Sequence, residues 1–310
     1  MSWEDEIREL KAREALAYEM GGPDKVARQH EFKKLTIRER IDAMSDAESF
    51  HEIGTLAGVG QYDDDGNLTS FTPSNFVFGT AEIDGRPVIL SGDDFTVRGG
   101  SADAAIPGKR QQAEGLALEL RLPHIRLVDG MGGGGSVKTI ETAGRTYIPQ
   151  LRGWDIVVQH MAIAPSVSLA LGSVAGIGAA RVATSHYSVI VKSSAQMMIA
   201  GPALVEWASL GNVSKEELGA SKIHTRNGAI DDEAASEEEA FALAKRFLEY
   251  LPSSVDELPP LIDSNDDPTR RDEALIDIIP RDPRKVYKMH RIVESVLDAG
   301  SFFEIGKQWG

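Results

Sequence analysis

The sequence has no cysteine among its 310 residues. This absence excludes disulfide frameworks, thiolate metal sites and cysteine nucleophiles, and it is compatible with a reducing compartment. The first twenty residues, MSWEDEIRELKAREALAYEM, carry charges at nearly every turn and lack the apolar stretch of a signal peptide. No apolar run is long enough to span a bilayer. We therefore expect a cytoplasmic protein that does not use a membrane as a partner.

Positive charge is also scarce, with 33 Lys and Arg residues against 48 Asp and Glu residues and a net charge of −15. This balance argues against nucleic acid as the main partner, although a local basic patch could still bind an anionic cofactor. The 7 histidines show no metal-ligand spacing, and no G-x-S-x-G elbow is present. We predict no metal site, and a chemistry that needs only backbone donors would fit this shortage of side-chain acids, bases and nucleophiles.

Helical and strand-like patterns alternate along much of the chain. Residues 1–45 have apolar side chains at helical spacing, with a break at GGPD. The Asp84-Gly85 pair between two β-rich runs predicts a hairpin. Between Lys109 and Gly201, helical stretches separate short apolar strands, which predicts an α/β domain whose parallel sheet is covered on both faces. Ser236 and Glu239 predict a capping box at the start of the last clear helix.

One phrase occurs twice, as DAESFHEIG from Asp46 and as DAGSFFEIG from Asp298, at an offset of 252 residues. The offset also pairs Ile37 with Met289, Ile41 with Val293 and Met44 with Val296. Coincidence between two amphipathic helices is one explanation. The repeat favours the other, in which the second copy is the entry helix of a related domain. The expected division is a helical segment at 1–45, a domain at 46–252, a linker at 253–283 and the first helix of a truncated second domain at 284–310.

Two glycine-rich stretches are candidates for a site. GMGGGG, from Gly130 to Gly135, formally matches G-x-G-x-x-G but lies far from the first strand–helix unit, so a flexible loop is the alternative. LGSVAGIGAARVA, from Leu171 to Ala183, predicts a strand followed by a helix whose first turn approaches a ligand closely. The N–H groups of Ala175 and Gly176 would there stabilise an oxyanion, and close helix-on-sheet packing is the alternative.

Several motifs in sequence order resemble the carboxyltransferase subunits of biotin-dependent acyl-CoA carboxylases, of the propionyl-CoA carboxylase β-subunit type. This resemblance implies a crotonase-like (ClpP/crotonase) spiral of ββα units, and the full family member has two such domains. The motifs are KLTIRERID (34–42), DDFTVRGGS (93–101), GSVAGIGA (172–179), AGP (200–202), EELGASKIH (216–224), EEEAFALAKRFLEYLPS (237–253) and IIPRDPRKVY (278–287).

The resemblance implies transfer of CO2 from carboxybiotin, held on a separate carrier, to the α-carbon of an acyl-CoA through an enolate. Ala175 and Gly176 fall on the family's oxyanion pair. Where the family usually has Asp-Ser-Gly-Gly-Ala-Arg, this chain has Asp-Gly-Met-Gly-Gly-Gly-Gly-Ser from Asp129, so the usual Arg is absent. The substrate-binding residues expected from the resemblance are Phe95, Gly99, Gly100, Gly132, Gly133 and Gly134.

The implied partners are a biotin carboxyl carrier or biotin carboxylase subunit, the C-terminal carboxyltransferase domain of a neighbouring subunit, and further copies of the chain. Two alternatives remain open. One is a biotin-dependent acyl-CoA decarboxylase subunit, which would run the exchange in reverse at the same site. The other is a non-catalytic subunit that binds CoA esters or serves assembly, which the missing Arg suggests.

Overall fold

Three helices precede the first strand. The computed structural model describes residues 2–102, 105–130, 132, 144–145, 147, 153–208, 211–262, 264 and 266–309. The predicted break falls at the start of the second helix, where Gly22 has a φ of 89° and Pro23 is the first helical residue. The third helix begins with a capping box between Thr36 and Glu39. These helices are α1 (Glu4–Tyr18), α2 (Pro23–Glu31) and α3 (Ile37–Met44).

A seven-stranded sheet, in the order β1-β4-β5-β6-β7-β9-β11, forms the centre of the molecule. The strands from β5 to β11 pair in parallel, whereas β1 and β4 are antiparallel to their neighbours. The prediction of an α/β fold with a largely parallel sheet is confirmed. The strands are β1 (His51–Glu52), β2 (Gly58–Tyr62), β3 (Leu68–Pro73), β4 (Phe76–Ile83), β5 (Arg86–Asp93), β6 (His124–Val128), β7 (Ser166–Ala170), β8 (Ser173–Ala175), β9 (Tyr187–Val191), β10 (Gln196–Met198) and β11 (Asp232–Ala234).

The hairpin predicted at Asp84-Gly85 connects β4 and β5. Asp84 has a φ of 51° and Gly85 a φ of 73°, so both turn residues take the positive φ that a two-residue hairpin requires. The side chain of Asp46 accepts hydrogen bonds from both turn N–H groups, at 3.0 and 2.8 Å. The first copy of the repeated phrase therefore closes this hairpin.

Two central strands, β7 and β9, each lead into a short strand of a second layer and then into a helix. β7 is followed by β8 and a helix beginning at Ile177, and β9 is followed by β10, which pairs in parallel with β8. This succession is the predicted spiral of ββα units. The helices after α3 are α4 (Lys109–Leu120), α5 (Trp154–Met161), α6 (Ile177–Ala183), α7 (Pro202–Trp207), α8 (Lys215–Gly219), α9 (Ser221–His224), α10 (Glu237–Glu249) and α11 (Met289–Val296), with 3-10 turns at Arg98–Gly100 and Glu273–Ile276.

Helix α10 packs on β9 and β11 through its buried apolar side chains. Its predicted capping box is only half right. The Ser236 hydroxyl accepts the Glu239 N–H at 3.2 Å, but the Glu239 carboxylate accepts from the N–H of Ala235 at 2.6 Å. The extended backbone at Ser236 (φ −145°) brings the preceding residue within reach of the carboxylate.

The last residues return to α10. The Arg246 guanidinium donates to the Gly300 carbonyl at 2.8 Å, and the Phe303 ring lies 5.9 Å from that of Tyr250 and 5.8 Å from that of Tyr187. Helix α11 begins at Met289, five residues later than the sequence suggested. Among the described helices, none is both long enough and apolar enough to cross a membrane.

Candidate functional site

Three backbone segments converge where β5, β6 and β7 reach their carboxyl ends. A Cβ atom built on Gly100 would lie 2.7 Å from the Asp129 carbonyl oxygen, and one on Gly178 would lie 2.9 Å from the Gly130 carbonyl oxygen. One on Gly132 would lie 3.0 Å from the Ile177 nitrogen. These distances leave no room for a side chain, so glycine is needed for the three segments to meet. We call Gly100, Gly130, Gly132, Gly176 and Gly178 the glycine cluster.

The glycine cluster lies where open α/β sheets bind their ligands, outside the carboxyl ends of parallel strands. Gly176 has a φ of 61° and a ψ of −122°, a conformation reserved for glycine. The Gly132 N–H donates to the Ala175 carbonyl at 2.7 Å, which joins the loop after β6 to the second layer. The structure thus brings the two predicted glycine-rich stretches into contact.

The two predicted oxyanion donors have different surroundings. The Gly176 N–H donates to the Met198 carbonyl at 3.0 Å, as the continuation of the β8–β10 ladder. N–H groups alternate in direction along a strand, so the Ala175 N–H points away from β10 and toward the glycine cluster. Among the described residues, the Ala175 N–H is therefore the member of the pair that is directed toward the candidate site.

A groove with a volume of ≈ 580 Å³ runs beside the glycine cluster. Phe95 and Gly99, both predicted as substrate-binding residues, line it. Four cationic side chains and one carboxylate also line it, which makes the groove basic in a chain of net charge −15. The charged lining residues are Lys25, Arg28, Lys34, Lys215 and Glu216.

A buried ion network lies directly beneath the cluster. The Asp129 carboxylate accepts from the Lys34 ammonium at 2.8 Å and from the Arg40 guanidinium at 2.9 Å. Arg40 also forms two hydrogen bonds with Glu237 on α10, at 2.7 and 2.8 Å. Because the Arg40 and Asp129 side chains are both 0% exposed, this network fixes α3 and α10 against the end of β6.

The network shifts the pKa values of its members. Burial alone would raise the pKa of Asp129, but Arg40 and Lys34 outweigh burial and hold that pKa below its usual value. Burial lowers the pKa of Lys34, against the opposing attraction of Asp129. The Lys34 ammonium also lies 4.5 Å from the centre of the Phe95 ring. Lys34 therefore links the buried network to the wall of the groove.

Six residues were predicted from the sequence to bind substrate, and the structure does not bring all of them to one place. Gly100 and Gly132 belong to the glycine cluster, while Phe95 and Gly99 line the groove. Gly133 and Gly134 lie outside the described residues. Over the part of the chain that the structure describes, no group of three metal-ligating side chains occurs.

Sequence reasoning did not find the network of Asp129, Lys34, Arg40 and Glu237. A signal was present, because Arg40 interrupts the apolar stripe of α3 formed by Ile37, Ile41 and Met44. A charged side chain on a buried helical face requires a partner. The identity of that partner could not be read, because Glu237 is 197 residues away in the sequence.

The repeated succession of a central strand, a short second-layer strand and a helix defines the crotonase-like class of α/β folds. Within that class, the chain belongs to the carboxyl transferase domain family, which matches residues 28–310. The resemblance seen in the sequence is therefore confirmed.

Related proteins cover nearly all of the chain. It is 31% identical over 308 residues to the carboxyltransferase subunit of propionyl-CoA carboxylase from Haloferax mediterranei, covering 98% of this chain and 58% of that protein. It is 28% identical to the α subunit of methylmalonyl-CoA decarboxylase from Veillonella parvula, covering 92% of this chain and 55% of that protein.

The fold also matches solved structures. The transcarboxylase 12S structure, a hexamer with methylmalonyl-CoA and methylmalonic acid bound, superposes with a TM-score of 0.85 at 25% identity. The match covers 100% of this chain and 59% of that one. The chain thus spans less than two thirds of the length of these relatives.

Proposed function

We propose that this chain supplies the carboxyltransferase component of a biotin-dependent acyl-CoA carboxylase and moves CO2 from carboxybiotin to the α-carbon of an acyl-CoA. The observation that carries the proposal is the basic groove that ends beside the glycine cluster at the carboxyl ends of β5 to β7. The family membership and the acyl-CoA bound to transcarboxylase 12S support the same substrate class.

The groove suits the nucleotide end of CoA. Lys25, Arg28 and Lys215 can pair with phosphate groups, since Lys34 already pairs with Asp129, and the Phe95 ring offers an apolar surface. In a chain of net charge −15, local basic character of this kind is what an anionic ligand needs. We propose that Lys25 and Arg28 contact the phosphates, and that the acyl end lies toward Gly99 and Gly100.

The Ala175 N–H is the donor we propose for the enolate or thioester oxygen. A fixed N–H group aimed at a developing negative charge stabilises the transition state more than the ground state. The Gly176 N–H would join it only by exchanging its bond to Met198 for one to the ligand. Biotin, carried by a separate protein, supplies the transferable carboxyl group when it is bound, and this chain's part is orientation and charge stabilisation.

The site is proposed to be completed by another polypeptide. Ile199, whose carbonyl oxygen lies 3.8 Å from a Cβ atom built on Gly176, is 90% exposed, and Trp207 at the end of α7 is 89% exposed. Exposed apolar side chains of this size mark contact surfaces. We propose that the C-terminal carboxyltransferase domain of a neighbouring subunit covers them, in a homo-oligomeric cytoplasmic complex that also contains a biotinylated carrier.

Decarboxylation is the second candidate, favoured by the match to methylmalonyl-CoA decarboxylase. The same oxyanion donor would stabilise the enolate formed when CO2 leaves the acyl-CoA and passes to biotin. Both directions use one site, and a catalyst does not shift the equilibrium between them, so the partner protein decides. Co-purification with a biotin carboxylase subunit, which forms carboxybiotin, supports the carboxylase, whereas a partner that removes CO2 from carboxybiotin supports the decarboxylase.

Acyl-CoA binding tests the groove. Isothermal titration with propionyl-CoA and methylmalonyl-CoA is expected to show binding to the wild-type chain. The double variant Lys25→Glu with Arg28→Glu should bind at least about tenfold more weakly and show a smaller dependence on salt. The double variant Arg8→Glu with Lys11→Glu, on α1 and outside the set of groove-lining residues, is the matched charge control. No measurable binding by the wild-type chain, or equal losses in both variants, would contradict the proposal.

The donor is tested by Ala175→Pro, which removes the N–H, against Ala175→Ser, which keeps it. Gly176 is unsuitable for substitution because its φ of 61° would strain any side chain. With the C-terminal domain and biotinylated carrier added, Ala175→Pro should lower kcat by about 100-fold or more and acyl-CoA affinity by less. The chain alone should bind without turnover. Equal rates for the two variants would show that the Ala175 N–H does not contribute to catalysis.

A further inference from the structure

A second, smaller cavity lies on the face of the sheet opposite the main apolar core. Its volume is ≈ 20 Å³, which is room for a water molecule or a compact ion. Side chains alternate between the two faces of a strand, so the buried Arg126 side chain lies on the opposite face of β6 from Leu127, whose side chain belongs to the main core. The charged lining side chains are Asp93, Arg110, Glu114, Arg126 and Arg181.

Two of the three arginines are paired with carboxylates. Arg126 forms a two-bond contact with Glu114, at 2.7 and 3.0 Å, and Arg110 contacts Asp93. Burial raises the pKa of Glu114, but His124 and Arg126 outweigh burial and hold that pKa well below its usual value, so Glu114 is ionised. The two carboxylates are therefore already committed to these two arginines.

The third arginine has one long ion pair within the described part of the chain. The Arg181 guanidinium, with 14% of its side chain exposed, lies 4.0 Å from Glu114, which already holds Arg126. Among the described side chains of the cavity, three guanidinium groups thus face two carboxylates.

An unused donor accompanies this excess charge. The Nε atom of Arg110 is buried and has no hydrogen-bond partner among the described residues. A buried donor without a partner costs free energy, as does a buried cation without a counter-ion. Both costs would be removed by one small anion placed between the arginines.

We propose that this cavity binds a compact carboxylate-type anion, such as bicarbonate or formate, held by Arg181 and Arg110. The planar guanidinium group matches the two oxygens of a carboxylate, and the volume excludes phosphate esters and CoA. The described lining residues of the cavity and of the basic groove do not overlap. The bound anion would lie beside Gly100, Gly130 and Gly178, which line the cavity.

Thermal unfolding of the whole chain in sodium bicarbonate, formate or acetate tests this site, with sodium fluoride at equal ionic strength as the reference. Above the Kd, the folded-to-unfolded ratio should rise about tenfold for each tenfold rise in anion concentration. Stabilisation by bicarbonate alone identifies an inorganic anion, and stabilisation by formate or acetate identifies the carboxylate of a small organic acid. Fluoride acting as strongly, or no anion acting at all, would overturn the proposal.

Arg181→Met should abolish the anion dependence while leaving a folded protein, since it removes the cation without an adequate partner. Arg121→Met, at an exposed ion pair with Asp256, should retain the dependence and serves as the control. An unchanged dependence in Arg181→Met would reject the site. If that variant does not fold, 13C NMR of 13C-formate with the wild-type protein decides. Line broadening that unlabelled formate reverses and fluoride does not supports the site, and an unaffected line rejects it.

Discussion

Helices α3 and α11 are two copies of one local structure in different surroundings. Both have 8 residues, and each ends with the same hydrogen bond, Ser45 N–H to Ile41 or Leu297 N–H to Val293, at 2.9 Å. The turn that follows each helix ends at a glycine with nearly equal φ, 71° at Gly54 and 72° at Gly306. The same short sequence therefore adopts the same backbone conformation in both places.

The copies also repeat a contact between a basic side chain and a glutamate. Arg38 contacts Glu52 at 2.9 Å in the first copy, and His290 contacts Glu304 at 2.7 Å at the equivalent positions of the second. Burial differs between them. Ile37 and Met44 are 1% and 0% exposed beneath the sheet, whereas their equivalents Met289 and Val296 are 53% and 67% exposed. The comparison separates what short-range sequence determines from what a packing partner adds.

The largest expected difference is in local opening. Amide hydrogens of α3 should exchange only through openings that approach global unfolding, of about 5 kcal/mol or more. Those of α11 should exchange through local fraying at about 0–2 kcal/mol, because no sheet covers its apolar face in the described structure. Native-state hydrogen exchange with mass spectrometry measures both helices in one sample. Similar protection in α3 and α11 would mean that burial is not what distinguishes the copies.

Arg40 is the next test, because only the first copy has a buried ion network. Arg40→Met should lower the free energy of unfolding by about 3–5 kcal/mol, since it leaves Asp129 and Glu237 without this guanidinium partner. The equivalent position in α11 is Ile292, and Ile292→Met should change the free energy by less than about 0.5 kcal/mol. Urea titrations give both values. A loss below about 1 kcal/mol in Arg40→Met would show that the network contributes little to folding.

Removing an aliphatic side chain from each copy isolates packing. Ile41 is 1% exposed, so Ile41→Ala should lower the free energy of unfolding by about 2–5 kcal/mol through lost burial and a residual cavity. Val293 occupies the equivalent place, and Val293→Ala should cost under about 1 kcal/mol. The shift of the urea midpoint at an unchanged m-value measures each change in the free energy of unfolding. Comparable losses in the free energy of unfolding for the two variants would show that Val293 is as well packed as Ile41, which would contradict the difference in burial between α3 and α11.

Prediction from sequence succeeded where the determining residues are close together. The Asp84-Gly85 turn could be predicted because two neighbouring residues both adopt the positive φ of the turn. The equivalence of α3 and α11 could be predicted because the same short sequence follows each helix. The network around Asp129 joins residues 89 and 95 positions apart, so no local pattern encodes it. The Gly176 bond to Met198 was missed for the same reason, since the second-layer pairing of β8 with β10 sets it.

The smallest expected effect concerns the start of each helix. Thr36 caps α3, accepting the Glu39 N–H at 3.3 Å while the Glu39 carboxylate accepts the Thr36 N–H at 2.7 Å. Lys288, the equivalent residue before α11, makes no capping bond with its side chain. Thr36→Ala should therefore cost about 1 kcal/mol of unfolding free energy, and Lys288→Ala close to zero. Because α3 is coupled to the sheet through its buried face, the loss at Thr36 should appear in global urea unfolding. A loss confined to hydrogen exchange in the first turn of α3 would instead show that its cap acts locally, as in an unpacked helix.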